Sequence, residues 1–63
     1  MIFFEKAEEI ANNGMQEKEV FRFFTIVSKK VPEIESFDFE ALFYTFGIPE
    51  EKTLELYEKW QEE

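Results

Sequence analysis

The segment Ser36–Pro49 constrains the fold of this chain more than any other segment. It contains four of the nine phenylalanines, and it ends with a glycine and a proline, which stop one helix and begin the next. The composition predicts a helix over about Phe37–Phe46, with Ser36 or Asp38 as its N-cap. At about 100° per residue, its apolar side chains point to almost every side. We therefore expect this helix to be buried at the centre of a small bundle.

Apolar residues recurring every three to four positions predict three further helices. The first spans about 2–11 and ends at Gly14, with Met15 folding back onto it. The second spans about 16–30, with glutamates in its first turn and lysines in its last, the order that the helix dipole favours. The last spans about 49–61, with the proline suited to the first helical position.

The predicted fold is therefore all-α, a compact bundle of four short helices arranged as two αα-hairpins. The helices 2–11 and 16–30 form one hairpin, and 37–46 and 49–61 form the other. A chain of 63 residues is a single small domain, 1–63, and no linker in it is longer than about five residues. Since it contains no cysteine and no histidine, stability has to come from its aromatic residues, 19% of the total.

A shift of 33 residues aligns the two halves of the chain. It places Gly14 on Gly47 and Met15 on Ile48, so that each half consists of a helix, a glycine with an apolar follower, and a second amphipathic helix. Few residues are identical, and similar capping chemistry would produce part of the match. The shift supports four helices in two hairpins and nothing beyond that.

The formal charge of −8 lies entirely in the second half of the chain. Residues 1–31 carry five acids and five bases, whereas residues 32–63 carry ten acids and two bases. This charge disfavours direct binding to nucleic acid or to an anionic membrane. No apolar run is long enough to span a bilayer, and glutamates interrupt the apolar start of the chain, so a cytoplasmic protein is expected.

The residue types offer little for catalysis. Without histidine or cysteine, a general base would have to be a carboxylate, a lysine or a tyrosine, and no two carboxylates have the spacing of a catalytic pair. No glycine-rich phosphate loop and no calcium-loop spacing occur. We therefore expect no enzyme activity, no catalytic residue, no cofactor and no metal site.

The surplus of aromatic residues instead favours protein binding, because a monomer this small cannot easily hide them. The first hypothesis is an interaction or regulatory module that binds a protein partner, and itself as a homodimer. Phe21, Ile26 and Leu56 are the predicted interface residues, because they flank the main apolar arcs of their helices. The alternative is that all three belong to the ordinary core.

The second hypothesis places the function on the acidic half. A phosphate-like array of carboxylates would block the basic cleft of a nucleic-acid-binding protein, and in size and charge the chain resembles small acidic inhibitors encoded by phages. The candidate residues are Glu50, Glu51, Glu55, Glu58, Glu62 and Glu63. Lys59 is expected to pair with Glu55 at i, i+4. The alternative is a face that only keeps the protein in solution.

Overall fold

The computed structural model describes residues 2–63, with side chains from residue 3 onward, and these form four α-helices. Helix α1 spans Ile2–Asn12, α2 spans Glu17–Lys30, α3 spans Ser36–Tyr44 and α4 spans Glu50–Glu62. The all-α prediction is confirmed, and each predicted helix end differs from these bounds by at most two residues. Of the helices in this range, none is both long enough and apolar enough to cross a membrane.

Each helix packs against two others, in a ring with the order α1, α2, α4, α3. The sequence neighbours α1–α2 and α3–α4 form the two predicted hairpins, and α4 also lies against α2, as α3 does against α1. Helices α2 and α3 are therefore diagonal to each other. The space between them is filled by side chains, which gives a compact body of 24 × 24 × 19 Å.

Phenylalanine rings fill this diagonal and form the centre of the core. Phe24 lies with its ring centroid 4.6 Å from that of Phe39, and Phe23 lies 5.5 Å from Phe43. All four rings are buried. Trp60 on α4 extends the cluster, with its ring 5.4 Å from Phe24. Because each large aromatic residue can bury about 150–250 Å², these rings give a short chain a continuous core.

Helices α1 and α3 both end in a glycine cap, but the caps differ at the next residue, because Met15 also has a positive φ of +56° and Ile48 does not. Gly14 and Gly47 have φ angles of +84° and +90°, which side chains rarely tolerate. The N–H of Met15 donates to the Ile10 carbonyl at 3.0 Å, and the N–H of Ile48 makes the equivalent bond at 3.2 Å. These bonds define Schellman caps, and Met15 is buried against the core. The predicted ends are confirmed, and the 33-residue shift relates the two caps.

Helix α3 is not buried on every side, and its prediction as a central buried helix is wrong in this respect. Phe39 and Phe43 are fully buried, but Phe37 is 68% exposed and Tyr44 is 64% exposed. The reason is the position of α3 in the ring. With only α1 and α4 beside it and α2 across the core, the opposite side of α3 faces solvent.

The N-caps of α3 and α4 also differ from prediction. Glu35 is the N-cap of α3, one position before Ser36, and Pro49 is the N-cap of α4 and not its first helical residue. Asp38 acts from the third helical position, where its Oδ2 accepts a hydrogen bond of 2.9 Å from the Glu35 N–H. This hydrogen bond belongs to a capping box formed by Glu35 and Asp38, and it fixes the start of α3.

Candidate interaction surfaces

The three predicted interface residues have different environments. Leu56 is 4% exposed and belongs to the core, so its prediction as an interface residue is wrong. It lies on the side of α4 that faces the other helices, while Leu54 takes a position that is 37% exposed. Phe21 is half-buried and packs against the core. Ile26 is 45% exposed and is the one of the three that remains clearly on the surface.

Ile26 borders a groove between α1 and α2 with a volume of about 270 Å³. Apolar side chains form most of the groove, and three charged side chains complete its lining. The lining residues are Phe3, Lys6, Glu19, Arg22, Phe23, Ile26 and Val27. Lys6 Nζ lies 3.9 Å from Glu19 Oε2 and so links the two helices. The volume is below the range of about 300–1,000 Å³ that is usual for small-molecule sites.

The most exposed aromatic side chains lie together on α3. Phe37, Ala41 and Tyr44 are all exposed and follow one another at i, i+4 and i+7, a spacing that aligns them along one side of a helix. We call these three residues the α3 face. Ala41, between the two aromatic residues, has a small side chain. The three residues form a short apolar stripe.

Carboxylates border the α3 face on both sides. At about 100° per residue, Glu40 lies on one side of the face and Asp38 lies on the other. Within residues 2–63, neither carboxylate forms an ion pair, and the segment 31–51 contains no lysine or arginine. The α3 face is therefore an apolar stripe with a negatively charged rim.

The α3 face is not among the surfaces predicted from the sequence. Apolar residues on nearly every side of α3 predict a fully buried helix, and that prediction hides this face. The sequence feature that indicates this face is the angular separation of two aromatic pairs. Phe37 and Tyr44 project to one side of the helix, and Phe39 and Phe43 project to another. A chain of only four short helices cannot cover both sides of α3, so one pair had to face solvent.

The six predicted acidic residues on or after α4 are all exposed. We call them the α4 acidic face: Glu50, Glu51, Glu55, Glu58, Glu62 and Glu63. Lys59 does not pair with Glu55 as expected, because it lies on the side of α4 that faces α2, where its Nζ is 3.6 Å from Glu17 Oε1. Among residues 2–63, no base pairs with any of the six, and no three metal-ligating side chains come together.

A hydrogen bond and an ion pair connect α4 to α2 at the surface. The Trp60 Nε1–H donates to Thr25 Oγ1 at 3.1 Å, and the Thr25 hydroxyl donates to the Phe21 carbonyl at 3.0 Å. This bond and the pair between Lys59 and Glu17 add to the packing of Tyr57 and Trp60 against Phe24. Because α4 also packs against α3, the α4 acidic face and the α3 face are parts of one packed unit.

The α3 face, the α4 acidic face and the groove between α1 and α2 are thus the surfaces on which a partner could act. Comparisons of the chain with known protein families, with curated proteins and with solved structures find no match. The function is therefore inferred from the residues of this chain alone.

Proposed function

We propose that this protein is a small interaction module that acts by binding a protein partner through the α3 face. The observation that carries the proposal is that Phe37 and Tyr44, seven residues apart on the same side of one helix, are 68% and 64% exposed. Burying apolar surface contributes about 25 cal/mol per Å², and these are the two most exposed large apolar side chains among residues 3–63. Grouped exposed aromatic residues are typical of binding surfaces.

The α3 face is held in place before any partner binds. Asp38 fixes the start of α3 through its bond to the Glu35 N–H, and Gly47 caps its end. On the opposite side of the helix, Phe39 and Phe43 anchor it in the core. A partner that docks on a fixed helix has little ordering cost to offset, which favours affinity.

We further propose that the protein acts by binding alone, without catalysis or a cofactor, and that it does so in the cytoplasm. The chain offers neither histidine nor cysteine as an acid, base or nucleophile. Its fold is held by an aromatic core without cysteines, an arrangement that suits a small protein in a reducing compartment.

Affinity capture from the cells that make the protein tests the proposal. The bait is compared with the double variant Phe37→Ser/Tyr44→Ser and with the control Ile26→Ser/Leu54→Ser, which removes two half-exposed apolar side chains from other helices. We expect a partner that the parent and the control capture and that the α3-face variant loses. Equal capture by all three proteins, or equal loss in both variants, would contradict the proposal.

The homodimer expected from the sequence remains a prediction. Two copies that met through their α3 faces would bring together Asp38 and Glu40 of both chains, and these carboxylates repel one another. We therefore expect self-association through this face to strengthen with salt. Light scattering at low and high NaCl concentration measures it, and Phe37→Ser/Tyr44→Ser is expected to abolish any dimer. A dimer that high salt dissociates would show that the contact lies elsewhere.

The α4 acidic face supports a second candidate function, the blocking of a basic cleft in a nucleic-acid-binding protein. The observation in its favour is that Lys59 pairs with Glu17 on α2, and that no glutamate of the α4 acidic face forms an ion pair within residues 2–63. Binding of this kind should weaken steeply with added salt and with the charge reversals Glu55→Lys and Glu58→Lys. It should not respond to Phe37→Ser/Tyr44→Ser, so the same capture experiment separates the two functions.

A further inference from the structure

We infer that the partner segment bound by the α3 face is a basic amphipathic helix. Its apolar residues would recur every three to four positions, with lysine or arginine on both sides of the apolar stripe. This inference rests on the proposed function, since it names the class of partner for the same face. It follows from the shape of the face and from the charges around it.

The shape of the α3 face favours a helix. Phe37, Ala41 and Tyr44 span two helical turns, or about 10.5 Å along the axis at 1.5 Å per residue. The backbone of α3 is hydrogen-bonded within its own helix and therefore cannot pair with an added strand. A second helix has the same spacing of side chains, so its apolar residues can pack over the small side chain of Ala41.

The charges around the face favour a basic helix. Glu40 and Asp38 lie on either side of the apolar stripe and form no ion pair within residues 2–63. They belong to the segment 31–51, which contains six acids and no base. An acidic helix, or a second copy of this chain, would meet like charges on both sides. Lysines or arginines that flank an apolar stripe would meet opposite charges there.

The groove between α1 and α2 provides an internal comparison. It is also apolar, but two of its three charged residues, Lys6 and Arg22, are basic. A basic helix is therefore not expected to bind there. Ile26→Ser alters this groove without touching the α3 face, so it should leave binding of a basic helix unchanged.

Three synthetic peptides of about 18 residues, a length that can form a helix on a surface, test the inference. One carries leucine on one face and lysine on the other, the second replaces its lysines with glutamate, and the third replaces its leucines with serine. Binding of each fluorescein-labelled peptide is measured by anisotropy at about 150 mM NaCl. We expect the leucine–lysine peptide to bind at least about tenfold more tightly than either of the others.

Variants of the protein locate the contact. Phe37→Ser/Tyr44→Ser should weaken binding of the leucine–lysine peptide at least about tenfold, and Asp38→Asn/Glu40→Gln should weaken it about threefold to tenfold. The control Glu5→Gln/Glu8→Gln removes two negative charges from exposed residues of α1 that form no ion pair within residues 2–63, and it should stay within about twofold. Circular dichroism checks that each variant keeps its helices.

The outcomes separate this inference from the proposed function. If the control weakens binding as much as Asp38→Asn/Glu40→Gln does, the attraction comes from net charge alone and the inference is overturned. If the leucine–glutamate peptide binds more tightly, and loses its binding in Phe37→Ser/Tyr44→Ser, the face docks a helix of the other charge. The proposed function then stands and the basic partner does not. If no peptide binding depends on Phe37 and Tyr44, the inference fails, and the capture experiment alone decides the proposed function.

Discussion

Thr53 on α4 has a fully buried side chain, and its hydroxyl is the one buried side-chain polar atom in residues 3–63 without a hydrogen-bond partner. The 33-residue shift aligns it with Val20, which is equally buried on α2. Helix α4 thus places a hydroxyl where α2 places a methyl group. A buried polar group without a partner costs about 1–3 kcal/mol, so this residue weakens the core that it helps to fill.

The substitution Thr53→Val should therefore stabilise the protein. Valine has nearly the same shape and carries no hydroxyl, so we expect the free energy of unfolding to rise by about 1 kcal/mol. Urea unfolding followed by circular dichroism measures the change. The control Thr45→Val removes an exposed hydroxyl that donates to the Ala41 carbonyl, and it should change stability little. A loss of stability in Thr53→Val would show that the hydroxyl does not act as an unsatisfied group.

Individual helices were predictable because their ends depend on local chemistry. Gly14 and Gly47 each mark the end of a helix whatever the rest of the chain does, and the glutamates and lysines of α2 mark its polarity. Which sides of a helix are buried depends on the neighbouring helices instead. The burial of Leu56, the exposure of Tyr44 and the outer side of α3 follow from the ring order of the helices. That order is not contained in the periodicity of any one segment.

The two glycine caps lead to a prediction for these elements. At Gly47 an added Cβ would meet nothing within 4 Å, and at Gly14 its nearest neighbour would be the flexible Gln16 side chain at 3.8 Å. The cost of Gly47→Ala and of Gly14→Ala should therefore be that of the positive φ angle alone, about 1–2 kcal/mol for each. Thermal unfolding of both variants measures it. A clearly higher cost at Gly14 would mean that the positive φ of Met15, which has no counterpart at Ile48, adds to the strain of the first cap.

The whole molecule combines an aromatic core with an unbalanced charge. Its net charge of −8 resides in residues 32–63. The ion pairs within residues 2–63 join Lys6 and Lys59 to glutamates of α1 and α2. The repulsion among the remaining glutamates is thus only weakly offset within residues 2–63. The carboxylates of these glutamates are mostly exposed to solvent, so dissolved salt screens their repulsion effectively.

Added salt should therefore stabilise the fold. Raising NaCl from about 20 mM to about 500 mM shortens the screening length to a few ångströms, and we expect the free energy of unfolding to rise by about 1 kcal/mol. Urea unfolding at each salt concentration measures the change. The variant Glu55→Gln/Glu58→Gln has less repulsion to screen and should gain less. If salt lowers stability instead, ion pairs such as Lys59 with Glu17 dominate.

The bond between Trp60 and Thr25 has an optical consequence. Trp60 is the only tryptophan of the chain, and it lies where one hairpin meets the other, with Phe24 and Tyr57 beside its ring. Its emission therefore reports whether the two hairpins remain joined. A partner that docks on α3 without opening the bundle should leave that emission unchanged. A ligand that shifts it is acting on the junction between the halves.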